Sequence, residues 1–448
     1  MTIALQQKPL TRVVMGIVNA ANGAWFDPSD LSTLYQDDAG TTPVTAVEQP
    51  VGKILDKSGN GNHATQSITA SRPVLSARYN LLTYSEQFDN ASWLKANSYI
   101  TANAILSPFG QLTSDKLIAS STSSVHAVYK TVPTVVGIQT FSVYLKKSGY
   151  DFAAISISNN GIITAGNESI QVFDLLNGTV GNSYNTSPIL ATINHIGDDW
   201  YLCEIQFSIP TTSANINVFN VPTNSNPRNP FVGDDVSGVY LFGADLRAGD
   251  ISGIYQRITT ATDYDTNPAY FPKYLRFDGI DDYLNLPYMG LYAGGACSVV
   301  AGFQSNISTI EQELLAERNT STTTPVALFW SRIANSINSG LFYRDDSNSS
   351  IVNIRDSTLE DTNTKILSVV DSGSNIKSRY NGALKFSANP TRSTITLNTT
   401  TIGAYVSTNT SGFLNGKLYG LIITKSALSD SQRIACERHL ARKSGVLL

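Results

Sequence analysis

Polar and apolar positions alternate with period two along most of the chain. In Gln139–Lys146, Phe141, Val143 and Leu145 share one face while Ser142, Tyr144 and Lys146 share the other. In Tyr201–Ile209 the apolar face is Tyr201, Cys203, Ile205, Phe207 and Ile209. This spacing predicts half-buried strands. Residues 239–246 and 418–424 are nearly continuous apolar runs, as expected of strands covered on both faces. Turn signals punctuate these runs: Asn159-Asn160-Gly161, Asn177-Gly178, Asp278-Gly279, Asn381-Gly382 and Asn415-Gly416. Tyr380-Asn381-Gly382-Ala383 is the strongest hairpin signal, because Asn-Gly supplies the two left-handed positions of a type I′ turn. The pattern predicts an all-β chain of sandwiches or jelly rolls.

One helix stands out, over residues 430–443. Ser429 and Gln432 have capping-box spacing, Arg438, Arg442 and Lys443 gather toward the C-terminal end, and Gly445 follows as a stop. Residues 1–22 carry Pro9, Lys8, Arg12 and a short apolar patch, Val13 to Val18. They are expected to form a surface-docked N-terminal strand or arm, or in a sharper reading an anchor on another subunit. The patch is too short for the apolar core of an export signal, and no run approaches a membrane span.

Composition narrows this picture. At 448 residues, two to four domains are expected. Charged residues are only 15%, and Ser, Thr and Asn fill the gap. With a net charge of −4 and no basic block, a nucleic-acid partner is disfavoured. Cys203, Cys297 and Cys436 are odd in number and far apart. They are expected as buried free thiols of a chain made in a reducing cytoplasm.

Two distant segments read as halves of one domain. The first holds Trp25-Phe-Asp-Pro-Ser-Asp30, Leu55-Asp-Lys-Ser-Gly-Asn-Gly-Asn-His-Ala-Thr-Gln66 and Arg72-Pro73, and the second starts at Leu275-Arg-Phe-Asp-Gly-Ile-Asp-Asp-Tyr-Leu284. Together they resemble the LamG-like, concanavalin A-like lectin/glucanase sandwich of phage and bacterial surface proteins, in which such pieces follow closely on one another. Between them, Asn80-Leu-Leu-Thr-Tyr-Ser-Glu-Gln-Phe-Asp-Asn-Ala-Ser-Trp93 opens a segment with Phe141–Tyr144, Gly197–Tyr201, Leu241–Gly249 and Tyr255–Thr260 as further marks. It resembles the carbohydrate-binding-module-like jelly roll of phage tail and virion proteins. The resemblances imply an arm over 1–22, a bipartite sandwich over 23–79 and 256–448, and a jelly roll inserted over 80–255.

Candidate chemistry is sparse. His63, His126, His195 and His439 lack metal-ligand spacing, and neither a nucleophile elbow nor a P-loop is present. Glycosidases of the sandwich fold need two carboxylates across a cleft. The acidic cluster Glu311, Glu313 and Glu317 departs from the family's Glu-x-Asp-x-x-Glu pattern, so it is expected to face solvent beside Leu314 and Leu315. The chain is therefore not expected to be an enzyme. Asp56, Ser58 and Asn60 match half of an oxygen-ligand loop for calcium, but position 67 is Ser where a Glu would close it. The same residues also make a self-bonded turn. Asp278, Asp281 and Asp282 are expected to cap a hairpin.

Trp25, Trp93 and Trp200 are expected in cores. Trp330, Tyr343, Arg344, Asp345, Tyr288 and Tyr292 are the candidates for an open saccharide-binding surface. What the resemblance implies for function is a bacteriophage virion protein: a head fibre, decoration protein or tail-fibre-like appendage. It would be made in the host cytoplasm and displayed on the virion surface to touch host-surface glycans. Other virion proteins would be partners through residues 1–22, self-association is open, and neither nucleic acid nor membrane is engaged. The alternatives are a tailspike-type glycan hydrolase and a purely structural component without ligand.

Overall fold

The computed structural model describes residues 2–134, 136–249, 253–293, 295–306, 311–322, 325–334, 338–356, 363–406 and 410–448, with side chains from residue 10 onward except 355–356. Among the described residues the chain is all-β apart from two α-helices and the short 3-10 turns Leu31–Thr33 and Thr69–Ser71, and the ladders between the strands are antiparallel. It divides into two units. One comprises Met1–Ala77 with Asn267–Leu448, and the other is Arg78–Thr266.

The first unit stacks an eight-stranded sheet on a nine-stranded one. Cys297–Ser305 and Asn415–Thr424 lie side by side at the centre of the eight-stranded sheet. Ala24–Phe26 pairs with the far end of Asn415–Thr424, Trp25 opposite Ile422. The nine-stranded sheet runs from Leu34–Tyr35 through Leu284–Leu286 and Thr399–Ile402 to Ser350–Asp356. Alternation sorts the central strand. Cys297, Val299, Ala301 and Phe303 enter the core between the sheets, while Val300 joins Ile366, Ile422 and Trp25 on the outer face. Both faces are covered, so Leu418–Thr424 reads as an unbroken apolar run.

The outer cover is helical. Asp430–Ser444 begins at Ser429, whose Oγ accepts from the Gln432 N–H while the Gln432 side chain accepts from the Ser429 N–H, and Gly445 closes it in the left-handed conformation. A second helix, Thr2–Ala20, replaces the strand or arm expected over residues 1–22. Val14 and Val18, one turn apart, are fully buried against Leu428, Cys436 and Leu440. That i, i+4 pair outweighs the hydrogen bond Pro9 removes. The expected hairpin stands at Tyr380–Ala383, with Asn381 at φ 48° and Gly382 at φ 79°.

The second unit is a sandwich of two six-stranded sheets. Val128, Ile155, Ile157, Ile216 and Val218 of one sheet meet Phe141, Val143, Leu145, Cys203, Ile205 and Leu241 of the other. Its last segment is stitched to its first. The Gln256 Oε1 accepts the main-chain N–H of Tyr79 and Asn80, and the Asn80 side chain donates to Ala244 and Gln256 carbonyls. These bonds carry the unit beyond residue 255 to Thr266. All three cysteines are buried and free.

Candidate functional site

The proposed saccharide residues of the first unit are mostly enclosed. Trp330 is fully buried, its Nε1 donating to the Tyr380 hydroxyl at 3.0 Å and its ring set edge-on to Phe303. Tyr343 is fully buried too, between Tyr292 and Phe329. Tyr292 is buried under the Arg392 guanidinium. Asp345 is buried and caps its own turn, accepting from the Ser347 and Ser349 N–H groups and the Ser393 hydroxyl. Arg344 lies half-buried over the Phe342 ring. Only Tyr288 keeps an exposed ring. For Trp330, Tyr343 and Tyr292 the open aromatic surface expected there is corrected to a core, because their rings pack between the two sheets. The structure joins Tyr292, Tyr343 and Asp345 through packing and Ser393; Trp330 sits apart.

The acidic cluster is corrected as well. Glu313 and Glu317 are fully buried rather than facing solvent. Burial pushes the Glu317 carboxyl up, although it accepts from the Leu291 and Tyr292 N–H groups and the Thr400 hydroxyl. It is a clamp on the 289–292 loop. Glu311 is half-buried.

The Asp56 carboxylate takes four donors from the chain itself: the N–H groups of Trp25, Ser58 and Asn62, and the Ser58 hydroxyl. Asn60 donates its side-chain amide to Gly23 O. The Asp56, Ser58 and Asn60 loop is thus a brace on the Trp25 strand. Asp278, Asp281 and Asp282 converge in one turn, where Asp278 Oδ1 accepts from Ile280 N–H and Asp282 Oδ2 accepts from Asp278 N–H. Burial and the neighbouring charges of Asp278 and Asp281 push Asp282 up to about 7.

A cleft suited to a ligand lies in the second unit instead. It encloses about 510 Å³, within the range of small-ligand sites. Three segments wall it: the loop from Tyr84 to Asn90, the edge formed by Asn103, Thr113 and Asp115, and the segment Arg257–Thr259. Tyr84 and Ile258 are the apolar exceptions in an otherwise polar lining.

Local geometry explains how these residues converge. Ser98–Ile105 loses register against Ser114–Ala119 between Thr101 and Ile105. Such a bulge re-aims side chains at a sheet edge. Within it Asn103 has φ 52°, and its N–H donates to Asp115 Oδ1 at 3.0 Å. Tyr84 has φ 55°, an uncommon conformation for a bulky residue. It is held by its N–H on Thr259 O, by the Trp93 indole on its own carbonyl, and by the Lys130 ammonium over its ring. Strained residues held by several contacts gather at functional sites.

The cleft's charges are distinct in environment. Burial drives the Asp115 carboxyl up to about 6, and nearby Asp89 adds to the rise, against the main-chain donors Asn103 and Phe88. Burial raises Glu86 too, against the Tyr255 hydroxyl that donates to its Oε1 at 3.1 Å. Arg257 donates to Thr259 Oγ1 at 2.6 Å and lies 3.8 Å from Asp263. Reasoning from sequence missed this site, because its walls come from segments far apart in the chain. The only local signal was the density of Glu86, Gln87, Asp89 and Asn90 within the opening motif.

No family model matches the chain, and no curated protein does. Solved structures give slight likenesses. The CBM40 of a Ruminococcus gnavus IT-sialidase, bound to α2,3-sialyllactose, is 16% identical and covers 31% of this chain and 80% of its own, with a TM-score of 0.28. The binding domain of botulinum neurotoxin serotype D is 12% identical over 42% of this chain and 45% of its own, with a TM-score of 0.30. A leech intramolecular trans-sialidase is 14% identical over 35% of this chain and 25% of its own, with a TM-score of 0.28. The cleft's own geometry is what speaks to function.

Proposed function

We propose that this is a non-catalytic binding protein of a tailed-phage virion surface, and that its second unit holds a saccharide of the host surface. The cleft carries the reading. It is large enough for sugar rings, and its walls offer amides from Gln87, Asn90 and Asn103, hydroxyls from Thr113 and Thr259, and one aromatic ring, Tyr84. Sugar hydroxyls both donate and accept, so such a mixed lining suits them. The virion half rests on the resemblance to LamG-like and jelly-roll virion proteins and on the low surface charge. Many copies on one particle turn a weak site into useful avidity. The Thr2–Ala20 helix is the element proposed to meet other virion proteins.

Holding fits better than cutting. Asp115, whose raised value would suit a general acid, is 1% exposed, with each carboxylate oxygen accepting a main-chain N–H. It joins the cleft walls. The test is retention of the full chain on immobilised host polysaccharide, with reducing-sugar release assayed in parallel and antibody labelling of purified particles. Retention without release, on labelled particles, is expected. Release of reducing ends would make it a hydrolase, no retention would remove the saccharide, and unlabelled particles would remove the virion.

A further inference from the structure

The cleft's charge says more about its ligand than its size does. Of its lining residues Glu86, Asp89 and Asp115 are acidic, against one basic residue, Arg257. The guanidinium is already engaged by Thr259 and faces Asp263. The nearest ammonium groups are committed to the protein. Lys95 donates to the carbonyls of Asp89, Asn90 and Trp93 at 2.8–2.9 Å, and Lys130 donates to Thr83 and Ser92. By contrast Glu86 and Asp89 have oxygens to spare. Glu86 accepts Tyr255 through Oε1 alone, and the exposed Asp89 carboxylate takes no hydrogen bond from the described residues.

A concave site focuses the field of such a surplus and concentrates ions of opposite sign. Carboxylates only accept hydrogen bonds, and an ammonium both supplies donors and answers the charge. A ligand bearing carboxylate or sulfate meets repulsion there. We propose that the cleft selects a cationic sugar, a saccharide with a free amino group held between Glu86 and Asp89. This rests on the saccharide reading above. Arg257 offsets part of the charge at Glu86, and a bound ammonium would answer the remainder.

The experiment is calorimetric titration of the full chain with a glucosamine tetramer, its N-acetylated counterpart and a uronic-acid tetramer, at slightly acidic pH and low salt. The first two share a backbone and differ only in the charge on nitrogen. The glucosamine tetramer is expected to bind about tenfold more tightly than the N-acetylated one, the worth of one charge-assisted hydrogen bond. Asp89→Asn and Glu86→Gln should each shrink that gap, and added salt should too. Equal binding of the first two tetramers, or tighter binding of the uronic-acid one, would overturn the charge selection and leave the saccharide reading standing. If none of the three binds while host polysaccharide is retained, the amino-sugar class is likewise overturned. If no saccharide is retained at all, both readings fall.

Discussion

Asp115 Oδ2 accepts the main-chain N–H of Phe88 at 2.8 Å, while its Oδ1 takes Asn103 N–H. One carboxylate thereby joins the entry loop of the second unit to the bulged edge of its sheet. Asp115→Ala leaves both N–H groups without an acceptor, at a cost of about 1–3 kcal/mol. Asp115→Asn keeps one acceptor and should cost less. Urea unfolding measures the difference, and retention on polysaccharide should fall with Asp115→Ala. Unchanged stability in the Ala variant would show that the two walls are held by other means.

His439 lies edge-on to Trp25 at 5.2 Å. Burial, with Lys443, Lys57 and Arg442 nearby, drives its imidazole down to about 4, and Asp27 opposes this only in part. The unfolded chain takes up a proton near 6.5 that the folded chain refuses. The stability this group contributes is therefore whole above 6.5 and is lost as pH falls toward 4. His439→Phe keeps the packing and removes the proton site. Its unfolding curves should resist acid better than the parent's between pH 6.5 and 4, by up to about 3 kcal/mol. Parallel pH profiles would refute this.

Asp27 shows the opposite sign. Burial raises its carboxyl, but Lys443 and Lys57, each 3.1 Å away, and the Ser29 hydroxyl outweigh that and hold it at about 2. Its contribution is present above the ordinary carboxylate value and is lost as pH falls through about 2. Asp27→Asn should cost about 2 kcal/mol near neutral pH and almost nothing at the acid extreme. Thermal unfolding at the two pH values checks it.

Tyr343 is fully buried, and its hydroxyl has no hydrogen-bond partner among the described residues. A buried polar group in that state is unfavourable. Tyr343→Phe should stabilise the first unit by about 1 kcal/mol and leave saccharide retention unchanged. Lost retention would return Tyr343 to the binding surface.

Local chemistry was legible in the sequence. The 430–444 helix follows from Ser429, Gln432 and Gly445, whose geometry satisfies the helix ends without help from elsewhere. Asn381-Gly382 likewise sets its turn alone. Burial on the second face of a strand was not legible. Trp330 and Tyr343 sit in strands that carry polar neighbours, and nothing local announces that the opposite sheet and Tyr380 close over them. Glu317 could not be placed, since its partners Leu291 and Thr400 are distant in sequence. The N-terminal helix, expected as a strand or arm, carries its signal only in Val14 and Val18, one turn apart, while Pro9 sits poorly in a helix interior. The cleft waited on tertiary structure, as any site walled by residues 84–90, 103–115 and 257–259 must.

The pairing of Trp25 with Ile422 has a consequence for how the chain comes into being. A ribosome adds about 5–20 residues per second. The first strand therefore emerges some tens of seconds before its neighbour exists. Arg78–Thr266 closes on itself in that interval, its ladders all completed within the span. The guest can be finished while the host is still an open half. Until Asn415–Thr424 arrives, Ala24–Phe26 has no strand to pair with and leaves an edge open to aggregation.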